Sequence, residues 1–313
     1  MGRFWLDSIE QPSRRWVALL FLVAMSFLFD PVAHAIHHPI VDAFGLPMIV
    51  HGEMALPRFA ALMIIRIALD FLIVMGVFAA LGRPARGFPL VGTAPMQFAL
   101  IGLVTGLLVM TVAIAAIIAS GNAHAAASGQ SVGSAISHGV GWLVFDFIGA
   151  AGEELYGRVA VLLVAERFAG RRGAIIISGL VFLIPHLGNP GANWMWLIRL
   201  FVQGALLAFA VYRTGSFWWS VGYHTGWNWA SAPLFGAAGS GYLDQGHLLD
   251  FIPTGPAWIT GGPVGPEGSL FAFVAVLCAY GLLLAMTRKM LAACPYSRSS
   301  DNDAAIKPDA SAT

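Results

Sequence analysis

Long apolar runs constrain this 313-residue chain more than any other feature. A helix that spans a bilayer needs about 20 mostly apolar residues. Eight runs qualify by length and composition: 16–36, 59–81, 96–120, 138–165, 174–188, 194–212, 214–234 and 269–287. They are continuous and lack the alternating pattern of membrane β-barrel strands. We therefore predict an all-α integral membrane protein with about eight transmembrane helices. A single membrane domain would cover 16–287.

The composition excludes most other classes of protein. Charged residues make up 11% of the chain, against about 25% in a typical globular domain. Hydrophobic residues reach 58%, which also excludes a disordered chain. Two cysteines cannot form a disulfide framework, and a net charge of +1 gives no reason to expect a nucleic-acid partner. The expected partners are the lipid bilayer and a membrane-bound protein or peptide.

Basic residues predict the orientation, because cytoplasmic loops are enriched in Lys and Arg. With the N-terminus in the cytoplasm, thirteen of the seventeen basic residues lie inside and Arg58 lies outside. The loops 121–137 and 235–268, both outside, contain neither Lys nor Arg. This predicts a multi-pass protein of the cell membrane with a cytoplasmic segment 1–15 and a cytoplasmic, disordered tail 288–313. A cleaved signal peptide ending near 33–35 is the alternative for the first run.

Ionisable residues inside the predicted spans indicate function, because a charge in hydrocarbon is costly. The fourth span is the richest and contains the sequence GEELYGR at 152–158. Glu153 and Glu154 point about 100° apart on a helix, whereas Glu154 and Arg158 share a face and predict an ion pair. Glu153 is left without that cation, on the face of Asp146. A free carboxylate of this kind suits a general base.

Two later spans add the other polar groups. The fifth contains FLIPH at 182–186, and the seventh contains HTGWN at 224–228, which places His224 and Asn228 on one face. Counting about 1.5 Å per residue from the inner loops puts Glu153, His186 and His224 at about 21, 20 and 17 Å depth. One layer would then hold a carboxylate, two imidazoles and an amide.

This layer predicts water activation for attack on an amide. Glu153 would accept a proton from the water, and His186 would hold that water. His224 and Asn228 would stabilise the oxyanion that develops on the substrate. Glu153, His186 and His224 are also suitable ligands for a divalent metal such as Zn²⁺, although the helix motif H-E-x-x-H is absent. The sequence leaves the metal question open.

Three further groups of polar residues have simpler interpretations. Arg66 and Asp70 lie four residues apart on the second span and are expected to pair with each other. Asp146 is expected to contact Arg199. The histidines 34, 37 and 38 resemble a small metal cluster, but the sequence favours an exposed outer loop for them.

The three motifs, taken in order, resemble the CAAX protease and bacteriocin-processing family of intramembrane endopeptidases, which includes the type II CAAX prenyl endopeptidases. The family pattern is E-E-x-x-x-R, then F-x-x-x-H, then H-x-x-x-N. Gly157 departs from it, because many relatives carry an aromatic residue there, and this puts the local packing or the substrate pocket in doubt. The N-terminal half lies outside the resemblance. The matching residues are Glu153, Glu154, Arg158, Phe182, His186, His224 and Asn228.

The resemblance implies hydrolysis of a peptide bond within the membrane by a core at about 138–234, with Glu153 as the base. The implied catalytic set is Glu153, Glu154, His186, His224 and Asn228, supported by Arg158, Phe182 and Asp146. Some relatives act on prenylated proteins, some on peptides, and some are linked to bacteriocin immunity. A proton-coupled transporter or a non-catalytic membrane or immunity protein is the alternative, with the same Glu and His cluster serving as a proton relay. Transporters usually repeat their broken helices in both halves, whereas here the breaks cluster in 174–234.

Overall fold

A computed structural model describes residues 12–50, 52–83 and 94–292, and the fold within these ranges is almost entirely helical. The predicted segment 1–15 and the predicted disordered tail therefore lie largely outside the described residues. The long helices are α1 (Pro12–Ala43), α2 (Leu56–Ala80), α3 (Pro95–Ala119), α4 (Val132–Glu154), α5 (Val161–Leu183), α6 (Trp194–Thr214) and α7 (Trp218–Trp229). A short α8 (Ala257–Thr260) precedes α9 (Leu270–Ala292).

Six helical segments in the described ranges are long and apolar enough to cross a membrane. Their large apolar side chains remain exposed, as for Phe27 and Leu72, which suits contact with lipid. These segments confirm a multi-pass membrane protein, while the count of eight stays a prediction. The difference arises because 132–186 forms one 55-residue helical segment and because α7 is only 12 residues long.

The 55-residue segment is broken at Gly170, whose φ of 63° lies in the left-handed region that favours glycine. The chain reverses there, which brings the Ser178 hydroxyl close enough to donate a hydrogen bond at 2.9 Å to the carbonyl of Gly157. Residues 171–183 therefore run back along the end of α4. This reversal agrees with two separate spans, 138–165 and 174–188.

The non-helical loops meet at one end of the helices. Strand β3 (Ala123–Ala127) pairs antiparallel with β4 (Leu249–Pro253), and so joins the two loops that carry no basic residue. A smaller pair, β1 (Ile49–Val50) and β2 (Glu53–Met54), lies beside them through a bridge from Met54 to Asp244. These short strands are the exception to the all-α prediction.

Basic side chains gather at the opposite end. The Arg15 guanidinium lies 5.2 Å from the ring centre of Phe168 in the turn near Gly170. Arg213, at the end of α6, donates a hydrogen bond to the Thr287 hydroxyl at 2.8 Å. The two sets of loops therefore lie at opposite ends, as the positive-inside pattern predicts. Which end faces the cytoplasm stays a prediction.

One predicted contact is wrong. Arg199 does not pair with Asp146, because its Nη2 atom lies 2.9 Å from Oε2 of Glu267, and both side chains are almost fully buried. Asp146 is also buried, but it interacts with the carboxylate of Asp244. Burial and the neighbouring Glu53 carboxylate raise the pKa of Asp244 well above its usual range. Asp146 thus belongs to the loop end of the fold.

Helices α3 and α7 pack closely against each other, and glycines allow this contact. Gly102 and Gly106 on α3 face the backbone of α7, and Gly222 and Gly226 on α7 face the backbone of α3. A Cβ atom on any of the four would come within 1.9 to 2.2 Å of a carbonyl oxygen on the other helix. Small residues four apart permit such close packing of membrane helices. This contact fixes the position of α7.

We expect Gly106→Ala and Gly222→Ala to destabilise the protein, because the new methyl group meets backbone that cannot rotate away. Overpacking of this kind costs about 1–3 kcal/mol. Thermal unfolding in detergent, followed by tryptophan fluorescence, would measure the loss. Gly281→Ala on α9 is the matched control, since a Cβ there meets nothing within 4 Å. Equal melting temperatures for all three variants would contradict the close contact.

Candidate active site

The helix that carries the paired carboxylates changes its geometry just after them. Residues 132–154 are α-helical, and Leu155–Ala160 form a π-helical turn. Short π-helical turns occur frequently at functional sites. The Ser178 hydroxyl satisfies the Gly157 carbonyl within this turn. Irregular backbone is tolerated at membrane depth where protein covers it in this way.

Glu154 and Arg158 form the predicted ion pair. The Nε atom of Arg158 lies 2.9 Å from Oε2 of Glu154, and both side chains are completely buried. The guanidinium also lies 4.5 Å from the ring centre of Phe182, in a cation–π contact. The α-helical spacing therefore predicted the partner correctly, even though the backbone after Glu154 is π-helical.

His224 links the two carboxylates. Its Nδ1 atom lies 3.1 Å from Oε1 of Glu154, and its Nε2 atom lies 4.0 Å from Oε2 of Glu153. Arg158, Glu154, His224 and Glu153 therefore form a continuous series of charged and polar groups across two helices. Since a carboxylate is an acceptor, Nδ1 carries the hydrogen toward Glu154. The edge of the ring that carries Nε2 is turned to Glu153.

Phe182 packs against the rings of both His224 and His186. Its ring centre lies 5.6 Å from that of His224 and 5.3 Å from that of His186. His186 also meets Trp196 edge to face at 5.9 Å. The phenylalanine of the second motif thus contacts a residue from each of the three motifs. It thereby orients both imidazole rings.

The tautomer of His186 follows from its backbone contact. Its Nδ1 atom lies 2.9 Å from the carbonyl oxygen of Phe182, and a carbonyl can only accept, so Nδ1 carries the hydrogen. The Nε2 atom of the neutral ring therefore has a free lone pair. Pro185 lies just before it in the short 3₁₀ turn Ile184–His186 that ends the helix.

Asn228 lies one turn after His224 on α7 and is half-buried. Among the described residues, none forms a hydrogen bond with the Asn228 side chain. The role of Asn228 toward an oxyanion stays a prediction. The structure therefore brings Glu153, Glu154, Arg158, Phe182 and His224 into one connected group, which His186 joins through Phe182. Asn228 is near it only by its position one turn after His224.

A cavity of about 300 Å³ opens beside this group. Glu153, Arg158, Phe182 and His186 form one wall. The first two helices form the other wall, which the motifs did not predict. Its polar members are Ser26, Asp30, Arg66 and Asp70. Asp30 and Arg66 are charged residues within predicted apolar spans. Their presence there could have predicted that the first two helices line a polar cavity.

The predicted Arg66–Asp70 pair is wrong. Arg66 instead places Nη1 3.1 Å from Oδ1 of Asp30, on α1. Asp70 is buried beneath the cavity, where a Cβ on Gly152 would lie 2.9 Å from its Oδ2 atom. The helical spacing identified two residues on one face, but a partner from the neighbouring helix was nearer. Arg66 therefore joins α2 to α1 at the cavity wall.

The three candidate metal ligands do not converge. In the part of the chain that the structure describes, three donors lie within 4.8 Å of one another at a single place, and Glu153, His186 and His224 are not those donors. Of the three, His224 and Glu153 approach each other to 4.0 Å between Nε2 and Oε2.

The comparison with known families agrees with the motifs. Residues 134–230 match the family model described as "Type II CAAX prenyl endopeptidase Rce1-like". The match contains all three motifs and confirms the resemblance to the CAAX protease and bacteriocin-processing family over this part of the chain. No curated protein and no solved structure matches the chain.

Removing either partner of the Glu154–Arg158 pair should reduce the folded yield. Glu154→Ala leaves the Arg158 guanidinium without its carboxylate, and Arg158→Ala leaves Glu154 with His224 as its remaining partner. Breaking a buried ion pair costs about 3–5 kcal/mol. The double variant Glu154→Gln/Arg158→Met removes both charges and should recover part of the loss. Size-exclusion chromatography and thermal unfolding in detergent would report both effects.

Arg171→Ala is the matched control for this prediction. Arg171 also pairs with a glutamate, Glu166 at 3.2 Å, but its side chain is 65% exposed. Exposed pairs contribute about 0–1 kcal/mol, so the yield should stay near that of the unmodified protein. Normal stability for Glu154→Ala and Arg158→Ala would show that the buried pair does not hold the fold.

Proposed function

We propose that this protein is an intramembrane endopeptidase that hydrolyses a peptide bond of a membrane-associated protein or peptide. The observation that carries the proposal is the arrangement of His224 between Glu154 at 3.1 Å and Glu153 at 4.0 Å, beside the cavity. The family match over 134–230 supports the same class of activity. We place the protein in the cell membrane, with about eight spans and both termini in the cytoplasm.

In this proposal Glu153 is the general base. Its side chain lines the cavity, and it has no ion pair with Arg158, because that guanidinium is engaged by Glu154. The free Nε2 lone pair of His186 accepts one hydrogen bond from the attacking water. Glu153 takes the other proton as the water oxygen bonds to the scissile carbonyl carbon.

His224 and Asn228 would stabilise the oxyanion of the tetrahedral intermediate. To donate through Nε2 while Nδ1 donates to Glu154, the His224 ring must carry both hydrogens. A carboxylate near each ring nitrogen favours this positive form by Coulomb attraction. The Asn228 amide supplies a second donor. In other enzymes one such donor contributes about 3–4 kcal/mol to the rate.

The intermediate then breaks at the carbon–nitrogen bond. Glu153 returns its proton to the leaving nitrogen, which departs as an amine, and the acyl part leaves as a carboxylic acid. The base is thereby regenerated in its ionised form. Glu154 and Arg158 touch neither reactant in this scheme. Their role is to hold His224 in position and to compensate its charge.

The substrate would enter between α1, α2 and the end of α5. The cavity has apolar side chains such as Phe29, Val181 and Ile184 along its walls, which suits an apolar, extended segment. A prenylated protein is one substrate class that the family resemblance implies. We propose a membrane-embedded protein or peptide as the general class.

Glu153→Gln should abolish cleavage, because the amide cannot accept a proton from water. General-base catalysis contributes about 10²–10⁴-fold, and a loss of this size is expected. Proteoliposomes that contain the protein and host membrane extract would be analysed by peptidomics for new peptide ends. Glu166→Gln is the control, since Glu166 pairs with Arg171 at the basic end of the helices, away from the cavity.

The same proteoliposomes distinguish the peptidase from the alternative, a proton-coupled transporter. Equal peptide release by the unmodified protein and by Glu153→Gln would contradict a role for Glu153 as the base. A proton flux that is lost in Glu153→Gln, with no peptide release in either protein, would favour the transporter. Folded yield and melting temperature, measured in parallel, would show that the variant is intact.

A further inference from the structure

Three histidines meet at the outer end of α1, away from the candidate active site. His34, His37 and His38 each offer one ring nitrogen, and these atoms lie within 4.8 Å of one another. The sequence favoured an exposed loop for them, but they lie on the helix Pro12–Ala43, at positions i, i+3 and i+4. This spacing places all three on one helical face.

His37 is the fixed member of this cluster. Its side chain is buried, whereas His34 and His38 are exposed. Its Nε2 atom lies 3.4 Å from the backbone carbonyl oxygen of Arg58 on α2. A carbonyl can only accept, so Nε2 carries the hydrogen and Nδ1 has the free lone pair. Histidines that bind metals commonly donate their other ring nitrogen to a carbonyl in this way.

The geometry suits a first-row transition metal ion. Zinc–nitrogen bonds of about 2.0–2.1 Å place two ligands of a tetrahedral ion roughly 3.4 Å apart. The present separations of up to 4.8 Å therefore need a small contraction. Rotation of the exposed His34 and His38 side chains can supply it. Two histidines at i and i+4 already bind zinc together in the metalloprotease helix.

We propose that His34, His37 and His38 form a binding site for a divalent transition metal ion, with Zn²⁺ as the occupant, and with a fourth position open to water. The site is separate from the candidate active site, whose α1 members are Ser26, Phe29 and Asp30. It stands independently of the proposed peptidase activity. A bound ion would attach the outer end of α1 to α2 through His37 and the Arg58 carbonyl.

The test is zinc binding by the full-length protein, purified through a tag without histidine and stripped with chelator. Equilibrium dialysis against Zn²⁺ and elemental analysis would compare the unmodified protein with His34→Ala/His38→Ala. Both replaced side chains are exposed, so in the metal-free state the variant should have the same melting temperature as the unmodified protein. We expect one ion per chain in the unmodified protein and a loss of affinity of more than about tenfold in the variant.

Two control variants give the test its specificity. His124→Ala removes another exposed histidine at the same end of the protein and should bind zinc normally. His186→Ala removes a candidate active-site ligand and should also retain the ion. The proposal is overturned if the unmodified protein takes up no zinc, or if His34→Ala/His38→Ala binds it equally well. Loss of the ion in His186→Ala would also overturn it, by placing the ion at the candidate active site.

Co²⁺ gives a second readout, because its visible absorption is strong in tetrahedral coordination. The unmodified protein and His124→Ala should both develop this absorption, and His34→Ala/His38→Ala should not. Full absorption in the double variant would count against the three-histidine site. The measurement is independent of any peptide cleavage, so failure of the metal site and failure of the peptidase proposal can be told apart.

Discussion

The burial of charge between helices is the constraint on which the rest of this structure depends. Glu154 and Arg158 are completely enclosed, 2.9 Å apart, and neither could remain there alone. Arg199 and Glu267 form a second buried ion pair, with the same separation, elsewhere in the helical bundle. The Glu154–Arg158 pair lies within one helical segment and must be covered by neighbouring helices, whereas the Arg199–Glu267 pair joins α6 to the turn before α9. The first pair therefore requires that neighbouring helices enclose it, and the second requires one position of α6 relative to the residues before α9.

The first of these pairs also connects the fold to the candidate chemistry. His224 reaches Glu154 because α7 lies close to α4, and α7 is held there by its glycine contact with α3. The π-helical turn after Glu154 is stabilised by Ser178 from the returning helix. Each side chain of the group is thus positioned by a different helix–helix contact. Such sites are sensitive to packing far from the reacting atoms.

The sequence correctly predicted contacts between residues that are close together in the chain. The Glu154–Arg158 pair and the shared face of His224 and Asn228 both depend on local spacing. It failed where the partner comes from a distant element. Arg66 meets Asp30 instead of Asp70, and Arg199 meets Glu267 instead of Asp146. The glycines four apart on α3 and α7 were visible as GxxxG motifs, but the sequence does not say which helices they join.

The environment of the two adjacent glutamates supports different roles for them. Glu154 is completely buried, and its carboxylate is engaged by Arg158 and by His224. The Glu153 side chain is 41% exposed, and its carboxylate stands 4.0 Å from His224 beside the cavity. A base must exchange protons with water, so it needs access and a free lone pair. A fully enclosed, paired carboxylate has neither, so we propose positioning for Glu154 and proton transfer for Glu153.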